Sequence, residues 1–342
     1  MVFKTISFGR SDNPPSPQQS TPWHHGSMRA LLPVNRTPTV QEIPIPIPGP
    51  GQVLIQVAAS GVNRADLLQT AGHYPPPPDA PATLGLELAG TVTALGPGAD
   101  PALLHTPVLA LVDGGAHAEY ALADSHLTAP IPPHLDAAHS AALPEALATA
   151  WSNLVGTAHL AAGQTVLVHG GAGGVGHVAI QLARHVGARV LATVGTPAKE
   201  AWVCSLGAEP VNYHDDVVAR VLELTQGKGA DVIWDVLGAG GLADNLRMLA
   251  PDGQLLVIGL QRGRTAELNL GELLAKRLTV HGTTLRARPL AQKRQIWAGA
   301  QEFAPHLTPH VHAALPLADA ARAFDLLGGA ETRGKVVLTP GA

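Results

Sequence analysis

The sequence predicts an α/β fold in two parts, a mostly β part first and then a doubly wound parallel sheet wrapped by helices. Three observations carry this. Short β-branched runs broken by Gly and Pro fill residues 53–124, strand and helix patterns alternate from residue 163 onward, and a glycine-rich turn joins the first of those later strands to its helix. At 342 residues the chain is long enough for about two domains, each with a core of its own.

Residues 1–27 are rich in Pro, Ser, Gln and His and carry neither the period of a helix nor that of a strand, so they read as a disordered N-terminal extension. Met28 opens a first strand, MRALL. Residues 53–60, VLIQVAAS, alternate and are β-branched, and LGLELAGTVTALGPG, VLALVD and AEYALAD repeat the pattern. After Pro130 the stretch AAHSAALPEALATAWSNLV is Ala-rich with apolar residues at helical spacing, and it leads into the short buried strand TVLVH. Paired strand and helix segments follow: VLVH with GVGHVAIQLARHV, ARVLATV with PAKEAWVCSLG, PVNY with DDVVARVLELT, and ADVIWDV with GLADNLRML, then GQLLVIGL. RLTVH, residues 277–281, completes six strands, and the spacing argues right-handed crossovers in a parallel sheet. Two more helices, near residues 292–303 and 318–327, and a last strand at 334–338 are expected to pack back on the first part. The predicted division is a first domain over residues 28–148, a sheet-and-helix domain over 149–283, and a return to the first domain over 284–342.

Composition excludes several classes of function. The formal net charge is −4 and no window gathers the Lys and Arg that a phosphate-backbone reader needs, so nucleic acid and anionic membranes are not expected partners. Charged residues make up only 14% and hydrophobic residues 46%, too apolar for a disordered or coiled-coil protein. The single cysteine, Cys204, cannot form an internal disulfide and excludes any zinc site that needs two thiolates. There is no apolar run of the length of a membrane helix and no apolar signal-peptide core at the N-terminus, so a reducing cytoplasm is the default location.

The chemistry sits in HGGAGGVG, residues 169–176. Gly171-x-Gly173-x-x-Gly176 follows a strand and opens a helix, where one glycine turns tightly, one admits a pyrophosphate and one packs helix on strand. The helix N-terminus adds N–H groups and a positive dipole. The string also fits the kinase pattern GxGxxGxV, but no His-Arg-Asp or Asp-Phe-Gly segment occurs. An Asp or Glu that reads a bare ribose 2′-OH belongs at the end of the next strand, and there the chain reads ATVGTPAK. The Thr196 hydroxyl and Lys199 ammonium suit a 2′-phosphate instead, which favours NADPH over NADH. The alternative for Lys199 is a solvated first-turn lysine without a ligand. Tyr213, after the third strand of this sheet, either stacks near the adenosine or packs.

Taken together, ASGVNRAD (59–66), GHYPPP (72–77), LGLELAG (84–90), PEALATA (144–150), HGGAGGVG and TVGTPAK (193–199) resemble the medium-chain dehydrogenase/reductase superfamily. Within it they are most similar to the zinc-independent quinone oxidoreductases, the zeta-crystallin-like group, over residues 28–338. The resemblance implies a GroES-like mostly-β catalytic domain and a Rossmann cofactor domain with a six-stranded parallel sheet. In zinc-dependent relatives a Cys stands at the place of Asn63 and a His at the place of Leu86, just before Glu87, so both ligands are missing here. None of the 17 histidines forms a helical i, i+4 pair beside a carboxylate, and no metal ligands are assigned.

The implied activity is NADPH-dependent reduction of quinones. Without a Lewis acid to carry oxyanion charge, the acceptor has to be electrophilic already, a quinone or an alkene conjugated to a carbonyl. The resemblance places Asn63 and Thr149 near the nicotinamide and Tyr74 at the acceptor pocket. It places Gly171, Ala172, Gly173, Gly174, Val175, Gly176, Thr196, Lys199, Tyr213, Gly259, Leu260 and Lys335 against the cofactor. Local readings compete: Tyr74 as a cap on the polyproline turn at 75–78, Asn63 as a turn residue, Arg286 and Arg288 reaching the cleft or capping the last strand. Reduction of 2-alkenals or enoyl thioesters is the alternative activity. NADPH binding without turnover, as in lens crystallins recruited from this group, is the alternative of a different class. For assembly the resemblance implies a homodimer through an edge strand of the cofactor domain, with residues 277–281 as the candidate seam.

Overall fold

The computed structural model describes residues 26–341. The expected N-terminal extension falls outside the described residues as far as position 25, whereas Ser27, its last residue, already belongs to the first strand. β1 (Ser27–Val34) turns at Asn35 and Arg36, both at positive φ, into its antiparallel partner β2 (Thr37–Pro44). β3 (Gln52–Val62) leads into α1 (Arg64–Thr70), and the sheet continues with β4 (Glu87–Leu95), β5 (Pro107–Leu111), β6 (Tyr120–Asp124) and β7 (Thr128–Pro130). Two short helices, α2 (Ala137–Ala141) and α3 (Pro144–Ala150), carry the chain across to the second domain. Proline at the first position of α3 costs no hydrogen bond, and beyond Ala150 the helix widens into an i→i+5 turn over Trp151–Val155.

The second domain runs β8 (Thr165–Val168), α4 (Gly176–Val186), β9 (Arg189–Val194), α5 (Pro197–Ser205), β10 (Glu209–Asn212), α6 (Val217–Leu224), β11 (Ala230–Asp235), α7 (Leu242–Met248), β12 (Leu249–Val257), α8 (Leu270–Lys276) and β13 (Thr279–Gly282). Its six strands are all parallel, in the order β10-β9-β8-β11-β12-β13. The strands read as near-continuous apolar runs because both faces are covered. Val166, Val168, Val190, Ala192 and Trp234 face the layer with α4, while Leu167, Leu191, Ile233 and Leu255 face the layer with α6 and α7. β12 ends at Val257, so Gly259 and Leu260 lie in the loop beyond it, with Leu260 half exposed.

The chain returns to the first domain through α9 (Leu290–Ala300), β14 (Val311–Pro316), α10 (Ala320–Gly328) and β15 (Lys335–Thr339). β15 pairs antiparallel with the far end of β3, Val336 opposite Val62 and Leu338 opposite Ser60, and completes a seven-stranded sheet. This pairing sets Lys335 beside Asn63, the residue that follows β3. Among the described residues no helix is long and apolar enough to cross a membrane.

Candidate functional site

Between β8 and α4 the chain turns so tightly that three of its glycines leave no room for a side chain. A Cβ on Gly171 would stand 2.7 Å from Ala192 Cβ, one on Gly174 would stand 2.7 Å from Lys335 Cδ, and one on Gly176 would run into the Gly170 carbonyl. Ala172 is buried and its carbonyl accepts from Gly334 N at 2.9 Å, while Val175 packs on the core. Side chains pin the turn. Gly170 N donates to Thr193 Oγ1 at 3.0 Å, Thr193 Oγ1 stands 3.2 Å from His169 Nδ1, and His169 Nε2 stands 2.7 Å from Asn245 Oδ1. An amide oxygen only accepts, so His169 carries its proton on Nε2 and accepts the Thr193 hydroxyl at Nδ1. His177 Nδ1 donates to Gly173 O at 3.0 Å and its Nε2 accepts from His310 N at 3.0 Å. Burial holds His169 below the usual histidine range and pushes His177 down to about 4, so both rings are neutral at pH 7.

At the carboxyl ends of the strands, where the sheet order reverses, lies a cavity of about 440 Å³ lined by His169, Thr193, Tyr213, Asn245, Arg247 and Arg262 among others. Tyr213 is 45% exposed and covers Gly195, so that a Cβ at position 195 would collide with its hydroxyl. Thr196 caps α5 by accepting from Lys199 N at 3.3 Å. Lys199 is half-buried, and its Nζ reaches across to the Ala330 carbonyl ahead of β15. Burial lowers its pKa, with Glu331 opposing and Arg333 adding to that shift, so a second cation stands near the first. His169 and Thr193 sit in the sequence motifs without an assigned role, and Asn245, Arg247 and Arg262 were not singled out at all. No spacing rule marks them: His169 and Thr193 stand at the carboxyl ends of β8 and β9, whereas Asn245 and Arg247 lie on α7 and Arg262 lies in the loop after β12.

Lys335 joins the turn to the first domain. Its stem lies against Gly174, and its Nζ, almost fully buried, donates to Asn63 Oδ1 at 2.6 Å and pairs with Glu87 Oε1. Asn63 Nδ2 donates to the same Glu87 oxygen at 2.8 Å, and Glu87 Oε2 accepts from Glu145 N at 2.9 Å. Asp66 reaches back from α1 to accept from Asn63 N at 2.7 Å and from Gly85 N at 2.9 Å. Burial alone would raise the Asp66 pKa, but His117 and the two backbone donors outweigh it and hold it low. The Asn63 side chain is therefore committed mainly to Glu87 and Lys335, across the fold rather than to its own turn.

Thr149, on the last turn of α3, donates to Glu145 Oε1 at 3.1 Å. Glu145 lines a small cavity of about 10 Å³ with Leu86, Leu111, Leu285, Arg286 and Lys293. Of the two open readings for Arg286, the structure selects the cleft. Its guanidinium stacks over the Tyr74 ring at 5.6 Å and donates to Gln69 Oε1 and the Asp113 carbonyl, each at 2.8 Å. Tyr74 thus backs a residue of the cavity wall, whereas Arg288 donates to Thr284 O and is spent locally. The structure brings Asn63, Lys335 and Gly174 together and sets Thr149 beside them through Glu145 and Glu87; Gly259 and Leu260 stand apart in the loop after β12.

The donor set around Asn63 does not fit zinc. An amide and a leucine stand where thiolate and imidazole would be needed, a lysine ammonium already lies between Asn63 and Glu87, and Cys204 is exposed on α5. Among the described residues no three His, Cys, Asp or Glu side chains converge to hold a metal ion.

Comparison with known proteins agrees with this architecture. Residues 49–133 match the alcohol dehydrogenase GroES-like domain and residues 174–302 match the zinc-binding dehydrogenase domain. The chain is 34% identical over 304 residues to the quinone oxidoreductase of Homo sapiens, covering 87% of this chain and 92% of that protein. It is 35% identical over 306 residues to the phthioceranic/hydroxyphthioceranic acid synthase of Mycobacterium tuberculosis, covering 85% of this chain but only 14% of the length of that relative. A mycobacterial protein solved in complex with NADPH superposes with a TM-score of 0.81 at 31% identity, covering 92% of this chain and all of that one. With the parallel six-stranded sheet, the GroES-like domain and a full-length relative in hand, the chain belongs to the quinone oxidoreductase-like group of the medium-chain dehydrogenase/reductase superfamily.

Proposed function

We propose that the chain is an NADPH-dependent reductase of quinones that works without a metal. The observation that carries this is Lys335, whose stem rests on the glycine turn while its ammonium sits between Asn63 and Glu87, where zinc-dependent relatives place their metal. The glycines, the N-terminus of α4 and the cavity at the sheet crevice fit a dinucleotide. When bound, the reduced cofactor supplies two electrons and a hydrogen as hydride. Residues 171–176 hold its pyrophosphate, Tyr213 borders its adenosine, and Thr196 and Lys199, with Arg333 close by, read its 2′-phosphate. Asn63, Thr149 and Lys335 flank the nicotinamide, Gly259 and Leu260 border the cofactor, and Tyr74 with Arg286 borders the acceptor.

The NADPH complex of the structural relative and the activity named for the human relative both support this reading. Charge that develops on the acceptor has no Lewis acid to meet among these side chains, so a flat, conjugated acceptor that spreads the charge itself fits best. The test is NADPH oxidation with phenanthrenequinone set beside an α,β-unsaturated aldehyde, each with and without a chelator. The quinone is expected to turn over faster, at a rate the chelator leaves unchanged. Faster turnover of the aldehyde would move the reading to alkene reduction, and NADPH binding without turnover of either would make the chain a binding protein.

A further inference from the structure

The cleft holds one carboxyl group that neither the cofactor contacts nor the metal-position cluster uses. Glu145 N–H is tied to Glu87 and its Oε1 accepts from Thr149, but among the described residues its Oε2 is shut off from solvent and has no hydrogen-bond partner. The cavity it lines is otherwise walled by leucines and valine, with Arg286, Lys293 and Asp113 across from it. Lys293 pairs with Asp113, and Arg286 is spent on Asp113, Gln69 and the Tyr74 ring, so neither cation is placed to neutralise Glu145. A carboxylate oxygen without a donor in such a place is costly, whereas a carboxylic acid has one fewer charge to solvate.

We propose that Glu145 is the proton donor to the acceptor, held as a neutral acid by its apolar wall and oriented by Thr149. This rests on the reductase reading above. The acceptor takes two electrons and one hydrogen from the reduced cofactor, and the O–H bond at Glu145 Oε2 breaks as an O–H bond forms on the acceptor oxygen. The electron pair stays on Glu145, whose side chain as a whole is only half-buried, so that the carboxyl turns to water between turnovers and regains its proton there. Desolvation, with Glu87 and Asp66 adding like charge and Lys335 and the Thr149 hydroxyl opposing, raises the Glu145 pKa to about 7, so both forms are accessible near neutrality.

Glu145→Gln keeps the shape and the Thr149 contact and removes the proton. It is expected to lower kcat with phenanthrenequinone roughly 100-fold with the NADPH dissociation constant unchanged. In the wild type kcat should fall above pH 7 as a single group ionises, and that limb should vanish in the variant. Independently of turnover, infrared difference titration of the free protein should show a protonated carboxyl band that disappears with a midpoint near 7 and is missing from Glu145→Gln. Wild-type turnover retained in Glu145→Gln with the same pH profile overturns the assignment while leaving the reductase reading intact. No turnover by the wild type with any acceptor overturns the reductase reading, and the infrared titration still decides whether Glu145 is a neutral acid; a carboxylate band at pH 5 would show that it is not.

Discussion

Lys335 shows how much one side chain is asked to do. It is a fully buried cation whose partners are one carboxylate and one amide, and its stem fills the space beneath Gly174. Breaking a buried ion pair from one side leaves an uncompensated charge, so Lys335→Met should cost about 3–5 kcal/mol, as Glu87 loses its cation. Neutralising both partners in Lys335→Met with Glu87→Gln should restore most of that loss. Chemical denaturation of the three proteins checks this, and a double variant no more stable than the single one would show that the stem packing, rather than the charge pair, carries the stability. The resemblance sets this lysine against the cofactor, but its buried pairing with Asn63 and Glu87 was not legible. It meets Asn63 across 272 positions of sequence, a contact that no local pattern encodes. Glu145 escaped notice for a related reason, since its chemistry comes from what buries it.

At the scale of elements, the parallel sheet was readable almost strand by strand, because strands covered on both faces show uninterrupted apolar runs. Helix ends and loop contents were less so: the predicted glycine–leucine pair at 259–260 lies past the end of β12, where backbone hydrogen bonding to Asp235 replaces strand pairing. The strand at 277–281 begins two residues late, at Thr279, since Arg277 takes a left-handed conformation to end α8. β13 lies at one end of the sheet with Val280 39% exposed, and the preceding helix α8 leaves Leu270 and Leu274 67% and 80% exposed. An open strand edge with apolar residues around it invites pairing, and we propose a twofold dimer formed there. Light scattering should give the mass of two chains for the wild type and one for Val280→Lys; a wild-type monomer at working concentrations would remove the proposal.

The whole molecule brings a glycine turn from one domain, a lysine from the returning C-terminal strand and an acid from the linking helix into one cleft. What the sequence made legible was the cofactor half, because a nucleotide is held by consecutive backbone at a strand end. The acceptor half was legible only as isolated strings, since its residues come from both ends of α1, from β4, α3 and β15, and from the loop before α9. Cofactor choice is where the two halves are most directly joined to named atoms. Lys199 bridges to Ala330 and stands near Arg333, and no carboxylate stands at the end of β9 between Val194 and Lys199. Lys199→Ala should raise the Kd for NADPH about 5- to 30-fold, the equivalent of roughly 1–2 kcal/mol for a partly exposed cation. NADH, without a 2′-phosphate, should bind the variant nearly as it binds the wild type. The most direct measurement is the rate of NADPH and of NADH oxidation with phenanthrenequinone, for wild type and Lys199→Ala. Rapid oxidation of NADPH over NADH by the wild type, with that preference reduced by the variant through KM for NADPH alone, is the predicted result; oxidation of neither nucleotide, or an equal loss with both, would contradict it.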